Sequence, residues 1–323
     1  MIRVFCETDL KACRALWERL IIPEYLTDLW EVRECFHRNF RREVYFVAAE
    51  DSGEPAGLIP LSWIPEARSF GYFPGEVWQG KTWLEQNRII ARDRDVYAAM
   101  RQWLAKESVT YNLRYLLPDA WLDSSVPVDE IGYLFRPELY GFEMAPYYAR
   151  FNRRSIKSIR KDVERFYARD LTFRFDDPGD FEGLVRMNID RFGETSYFAD
   201  ERFLASFRDL MFLLREKGWL RMVTVLIEGV PAAIDIGAVY NNRYTLLAGG
   251  TGADYPGIAK VINLFHMERA CEEKYREADF LCGDFAWKTI FHLTPRPLYL
   301  TGSHPDYHET AICSDRSDSS SIG

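Results

Sequence analysis

The sequence contains no run of about 18 apolar residues, the length a helix needs to cross a bilayer, so no membrane span is expected. Its first residues, Met1-Ile-Arg-Val-Phe-Cys-Glu-Thr-Asp, lack a signal-peptide pattern, and the expectation is a soluble, cytoplasmic protein. The six cysteines (Cys6, Cys13, Cys35, Cys271, Cys282 and Cys313) form no C-x-x-C pair and stand at no metal-ligand spacing to histidine. Core or surface thiols are expected, with no metal site. An excess of positive charge is missing too. The formal net charge of −8 argues against wholesale nucleic-acid binding, and DNA is not an expected partner.

What is present suffices for two domains: 323 residues, 47% of them apolar, can build more than one core. Two segments repeat one hairpin plan. Val44 to Leu61 and Leu220 to Gly237 each read as a β-branched or aromatic strand, a Gly-x-Pro-Ala turn and a second apolar strand, with Gly53-Glu-Pro-Ala56 matched by Gly229-Val-Pro-Ala232. Helical patterning precedes each hairpin, over Leu10 to Phe40 and Phe181 to Lys217. A boundary is expected near residue 145, giving domains 1–145 and 146–300. Beyond Leu300 the Ser/Asp-rich end, 301–323, reads as a flexible tail.

The second half carries a strand-turn-helix segment. Arg243 to Ala248 reads as a strand, and Gly249, Gly250, Gly252 and Gly257 loosen the backbone before Ile258, Val261, Ile262 and Phe265 recur at helical spacing. The free amides opening such a helix bind phosphate through the backbone and the helix dipole, and Lys260 adds a charge. Plain turn chemistry would use the same residues. In the first half the corresponding stretch, Gly71 to Arg88, has bulky and acidic side chains where a phosphate would approach. Its aromatic group, Tyr72, Phe73, Trp78 and Trp83, suits either a sugar-stacking surface or an interdomain core.

From Arg150 to Arg165 seven basic residues stand against two acidic ones, and Ile156, Ile159, Val163 and Phe166 recur at helical spacing. The segment is an amphipathic helix with a basic outer face, either solvated or anion-binding.

From about Asn152 to Phe291 these features resemble the GNAT acyltransferase superfamily, in particular its BioF2-like (CelD/BcsL-type) branch, related in fold to the Fem aminoacyltransferases. Gly257 and Ala259 match the superfamily's Gln/Arg-x-x-Gly-x-Gly/Ala loop, while Asp254 stands where it has Gln or Arg. Pro256-Gly257 and the run Asp279-Phe-Leu-Cys-Gly-Asp-Phe-Ala-Trp-Lys288 match the branch more specifically. The resemblance implies an α+β (α/β), tandem GNAT-like fold with a mixed central sheet flanked by helices, whose first half is degenerate. It implies transfer of an acyl group, acetyl first, from acyl-CoA to an amine or hydroxyl of a small or cell-envelope-related acceptor such as a glycan precursor. The donor would lie on Gly257, Ile258, Ala259 and Lys260, and Arg153, Lys157 and Arg160 would meet an anionic donor or acceptor. Two alternatives remain: aminoacyl transfer from tRNA, as in Fem proteins, and a catalytically silent binding or scaffold protein.

Direct acyl transfer needs a base and charge stabilisation at the carbonyl. Asp235 interrupts an apolar strand, and a buried carboxylate needs a partner or a task. Asp284 and Glu194 are further candidates for the base, and Tyr255, beside the turn, is the best placed of several tyrosines to protonate a leaving thiolate. Lys288 follows Asp284 by four residues, which suits a surface ion pair; the resemblance instead implies contact with donor or acceptor.

Overall fold

The computed structural model describes residues 1–119, 126–283 and 286–303, which divide into two compact units. Unit 1 comprises residues 1–23, 27–130 and those from 297 onward, and unit 2 comprises 24–26 and 131–296. The boundary near 145 expected from the sequence therefore lies inside unit 2.

In unit 1, β1 (Ile2–Glu7) leads to α1 (Leu10–Leu20) and α2 (Trp30–Phe40), followed by the antiparallel strands β2 (Val44–Asp51), β3 (Glu54–Ile64) and β4 (Ser69–Tyr72). A two-strand ribbon, β5 (Val77–Trp78) with β6 (Lys81–Thr82), and β7 (Ile90–Ala91), which pairs with β3, separate β4 from α3 (Arg94–Lys106) and β8 (Asn112–Leu116). Asp9 caps α1 through the Ala12 amide and Asp93 caps α3 through the Val96 amide, each at 2.9 Å. Trp17, Trp30, Phe46, Tyr72 and Phe73 pack into the core of this unit, with the Trp30 and Phe73 rings stacked at 4.9 Å. Tyr72 and Phe73 thus serve unit 1's own core, and Trp83 stacks on Phe36 at 5.5 Å. Between β4 and α3 the buried Glu76 accepts the amides of Trp83 and Leu84, and burial pushes its carboxyl above the usual range.

Unit 2 contains the end of β9 (Val128–Phe135), then α4 (Met144–Tyr148), the basic helix α5 (Arg153–Tyr167), β10 (Leu171–Phe175), α6 (Phe181–Phe192), α7 (Glu201–Glu216) and the strands β11 (Leu220–Ile227), β12 (Val230–Tyr240) and β13 (Arg243–Thr251). The chain continues through α8 (Ile258–Glu272), β14 (Glu277–Asp279) and α9 (Ala286–Ile290) into β15 (Thr294–Gly302). The sheet order within the unit is β10-β11-β12-β13-β14-β9, antiparallel except for the parallel pair β13/β14. Past Arg296, β15 belongs to unit 1, where Tyr299 to Gly302 pairs with β8; strand extends through Gly302, and residues 304–323 lie outside the described residues.

The hairpin repeat is reproduced in register. Asp51 faces Glu54 and Glu50 faces Pro55, as Ile227 faces Val230 and Leu226 faces Pro231. Each hairpin has a bulge at the same step, where Ala49 skips to Gly57 past Ala56 and Val225 skips to Ala233 past Ala232. Both follow a strand and two helices, so the order strand, two helices, three antiparallel strands, helix, strand occurs twice.

Candidate functional site

Strands β13 and β14 stay together for three residues, Arg243 to Thr245 against Glu277 to Asp279, and then part. Beyond this point the β14 side turns to β9: the Phe280 amide donates to the Tyr133 carbonyl at 2.9 Å and the Tyr133 amide to that of Leu281 at 3.1 Å. Strand β13 continues alone on that edge, from Leu246 to Thr251, among the described residues. Its register against β12 slips here as well. Ile236 faces Ala248 and Gly237 faces Leu246, so Leu247 is the extra residue of a bulge. The outcome is a wedge-shaped opening in the sheet directly before the turn into α8.

That turn is tightly knit. The amides of Tyr255, Ile258 and Lys260 donate to the carbonyls of Gly252, Tyr255 and Gly257 at 3.1, 3.0 and 3.1 Å. Gly257 is the N-cap of α8 with φ +91°, a conformation that favours glycine, and no side chain caps the helix, Asp254 included. The basic helix clamps the turn, since Arg165 donates to the Pro256 carbonyl at 2.6 Å and Asp162 pairs with the Lys260 ammonium; just past the helix, the Arg169 guanidinium lies over the Tyr255 ring at 5.7 Å. Asn152 starts α5 by accepting the Ser155 amide at 2.8 Å, which turns Arg153, Lys157 and Arg160 to the exposed side while Ile159 and Phe166 are buried.

Asp235 sits mid-strand in β12, 4% exposed, and its Oδ2 meets His266 Nε2 of α8 at 2.9 Å. Tyr244 of β13 stacks on the same imidazole at 4.9 Å, with its hydroxyl 3.4 Å from Nε2. Burial, then the charge of Asp235, holds the Tyr244 phenol well above its ordinary pKa, so it stays protonated. Two glycines make room for this group: a Cβ on Gly249 would overlap Asp235 Oδ1, and one on Gly237 would overlap the Tyr244 ring. Part of the glycine content read as phosphate-loop flexibility is therefore packing space. The partner of Asp235 is a histidine that the sequence reading passed over, although His266 falls four residues after Ile262 on the face already read as apolar.

Lys288 is buried, 2% exposed, and donates to the carbonyls of Leu281 and Cys282 at 3.0 and 2.6 Å. These carbonyls belong to the turn after β14, where Leu281 and Gly283 have φ of +56° and +102°. The ammonium holds one wall of the opening, with the Tyr133 ring 5.2 Å away. Asp284, its expected companion, lies outside the described residues. Glu194 is exposed on the one-turn helix Gly193–Thr195 that follows α6. The end of α6 leans on β13, with the Asn188 amide donating to the Gly249 carbonyl at 3.0 Å and Arg191 to Thr251 Oγ1 at 3.2 Å. The structure thus gathers Gly257, Ile258, Ala259, Lys260 and Tyr255 at one turn beside Arg165, and it sets Asp235 beneath the sheet face with His266.

Among the described residues no cluster of three or more His, Cys, Asp or Glu side chains could hold a metal ion, and no helix is long and apolar enough to cross a membrane. Residues 150–289 match the family model of the acetyltransferase (GNAT) domain. No match is found among curated proteins. Similar solved structures include a conserved protein of unknown function from Bacteroides thetaiotaomicron VPI-5482, with 13% identity, coverage of 94% of this chain and 99% of that one, and a TM-score of 0.59. FemX is similar at 11% identity over 93% and 96%, with a TM-score of 0.57. So is the C-terminal domain of a putative lysylphosphatidylglycerol synthetase from Agrobacterium fabrum, at 13% over 94% and 96%, with a TM-score of 0.56. At such identities the likeness is one of fold. The matched segment, residues 150–289, is a GNAT-type acetyltransferase domain, and the α+β architecture around it agrees with that fold.

Proposed function

We propose that unit 2 transfers an acyl group, acetyl first, from acyl-CoA to an amine or hydroxyl of a small or cell-envelope-related acceptor. The observation that carries this reading is the parting of β13 from β14, with a bulge at Leu247, immediately before the glycine turn that opens α8. An unpaired strand edge offers amides and carbonyls to the amide groups of a pantetheine arm. A donor carbonyl beside the bulge would meet backbone N–H groups that stabilise oxyanion charge. The fit at the diphosphate end is narrower: Gly257 has no side chain to obstruct approach, and Lys260 and Arg165 bring positive charge, partly offset by Asp162.

In the proposed step the nucleophile's lone pair forms a bond to the thioester carbon and the C–S bond breaks. The nucleophile's proton passes to a carboxylate, which we assign to Glu194 at the end of α6, and Tyr255 protonates the leaving thiolate. Lys288 acts by positioning, because its ammonium holds the carbonyls of the wall opposite β13. Asp235 acts by positioning too, through His266.

A second reading, transfer from an aminoacyl-tRNA, is favoured by one feature of the turn. The Ile258 and Lys260 amides are already used inside it, while Arg153, Lys157 and Arg160 stand exposed on the helix that clamps it. The names of two fold neighbours, FemX and the putative lysylphosphatidylglycerol synthetase, point the same way. Melting temperatures with acetyl-CoA, longer acyl-CoAs, free CoA and tRNA separate the readings, since a ligand bound only by the native state raises the melting point by mass action. A rise with CoA species supports the first reading and a rise with tRNA alone supports the second. Indifference to all four leaves the silent binding protein standing.

A further inference from the structure

A pocket of about 460 Å³ lies along the C-terminal half of α8, within unit 2. At about 1.5 Å of rise per residue, its first helical residue, Phe265, is roughly 10 Å along the helix from the turn at Ile258. The walls are apolar or aromatic: Phe175, Met222, Val223, Tyr244, Phe265 and Tyr275. His266 also lines it. This imidazole is 3% exposed, and its hydrogen-bond contacts among the described residues fall on Nε2 and not on Nδ1.

The chemistry at the inner end follows from the tautomer. Asp235 accepts the proton on Nε2, which leaves Nδ1 as the ring's second polar atom and the hydrogen-bond partner for a ligand hydroxyl. The charges that line it are satisfied within the protein: Arg221 donates to the Gly218 and Leu220 carbonyls, Arg269 pairs with Glu272 and Glu273, Asp176 accepts the Met222 amide, and Glu268 accepts the Tyr148 hydroxyl. An apolar chamber of this size with one polar group at its inner end has the make-up of a small-molecule site.

We propose that this pocket binds a neutral aromatic molecule bearing a hydroxyl, its ring against the stacked pair Phe265 and Phe175 and its hydroxyl on His266 Nδ1. Phe175, 54% exposed and stacked on Phe265 at 5.6 Å, forms the entrance wall. The site is separate from the donor turn and does not depend on which acyl donor is used.

The test titrates the full chain with phenol, toluene and benzoate, followed by NMR or calorimetry. Phenol should saturate one site, with toluene about tenfold weaker for want of the hydrogen bond and benzoate weaker than phenol because it brings an unpaired charge. Phe175→Ala, which changes an exposed side chain, should weaken phenol about tenfold and leave the melting temperature nearly unchanged. His266→Phe should abolish the preference for phenol over toluene; if that variant fails to fold, the ligand series and Phe175→Ala carry the decision. Non-saturable phenol, equal affinity for toluene, or indifference to Phe175→Ala would overturn the proposal. Acetyl-CoA titrated into the same sample reports on the donor turn independently.

Discussion

Gly249 shows how one missing side chain supports a buried charge. Its hydrogen leaves space for Asp235 Oδ1, and the displaced carboxylate of Gly249→Ala would lose its bond to His266 while remaining buried. That change should cost roughly 2–4 kcal/mol in urea denaturation, combining overpacking with a broken buried hydrogen bond. Unchanged stability would mean that β13 yields without strain. Lys288 is the second such position. Lys288→Ala strands the Leu281 and Cys282 carbonyls and should cost on the order of 2–4 kcal/mol, well above the 0–1 kcal/mol of an exposed ion pair. If its melting point stays within a degree or two of the parent, water replaces the ammonium and the positioning role fails. Glu268 tests burial through pH. Burial first, and then the charge of Glu272, raise its folded pKa above the ordinary 4.5. A carboxyl raised on folding contributes stability that is complete below about pH 4.5 and lost as pH rises through the folded value. Glu268→Gln, which still accepts the Tyr148 hydroxyl, should therefore melt higher than the parent at pH 7 and about equally at pH 4. An advantage of the same size at both would contradict a desolvated carboxyl.

Among the elements, α5 and the turn into α8 act together, because the charge that a diphosphate would use is already partnered across them. Asp162 holds Lys260, and Arg165 holds the Pro256 carbonyl. Asp162→Asn should release the ammonium and tighten acetyl-CoA binding about tenfold by calorimetry, at a stability cost near that of a part-exposed pair, about 0–1 kcal/mol. Unchanged or weaker binding would make the Asp162–Lys260 pair a structural clamp only. The amphipathic period of α5 was legible in the sequence, since it is local. The helix it packs against was not, because a basic outer face has no preferred neighbour until the apolar side is buried.

For the whole molecule, charge is the scale at which the two donor readings separate. A net charge of −8 repels a polyanion overall, so tRNA binding would rest on the local basic face of α5 and be steeply salt-dependent. Replacing Arg153, Lys157 and Arg160 together by Ala should lower tRNA affinity at all salt concentrations. It should also flatten the log–log salt slope by about 2–3, at roughly 0.7–0.9 per lost phosphate contact. An unaltered slope would remove the tRNA donor from consideration at this face. The repeated order of elements in the two units was legible because each Gly-x-Pro-Ala hairpin carries its own register. The bulge past Ala56 and Ala232 follows from that local turn in both.

The sequence by itself determined what is local: the hairpins, the apolar stripe of α5, and the glycine turn opening α8. The tertiary structure decided which residues far apart in the chain share one place. It brought His266 to Asp235 and turned Lys288 inward onto carbonyls. It also ended the β13/β14 pairing after three residues and divided the units at 130 and 296. Periodicity and turn chemistry act over a few bonds, whereas a buried carboxylate or ammonium takes whichever partner the packed sheet and helices bring within hydrogen-bond reach.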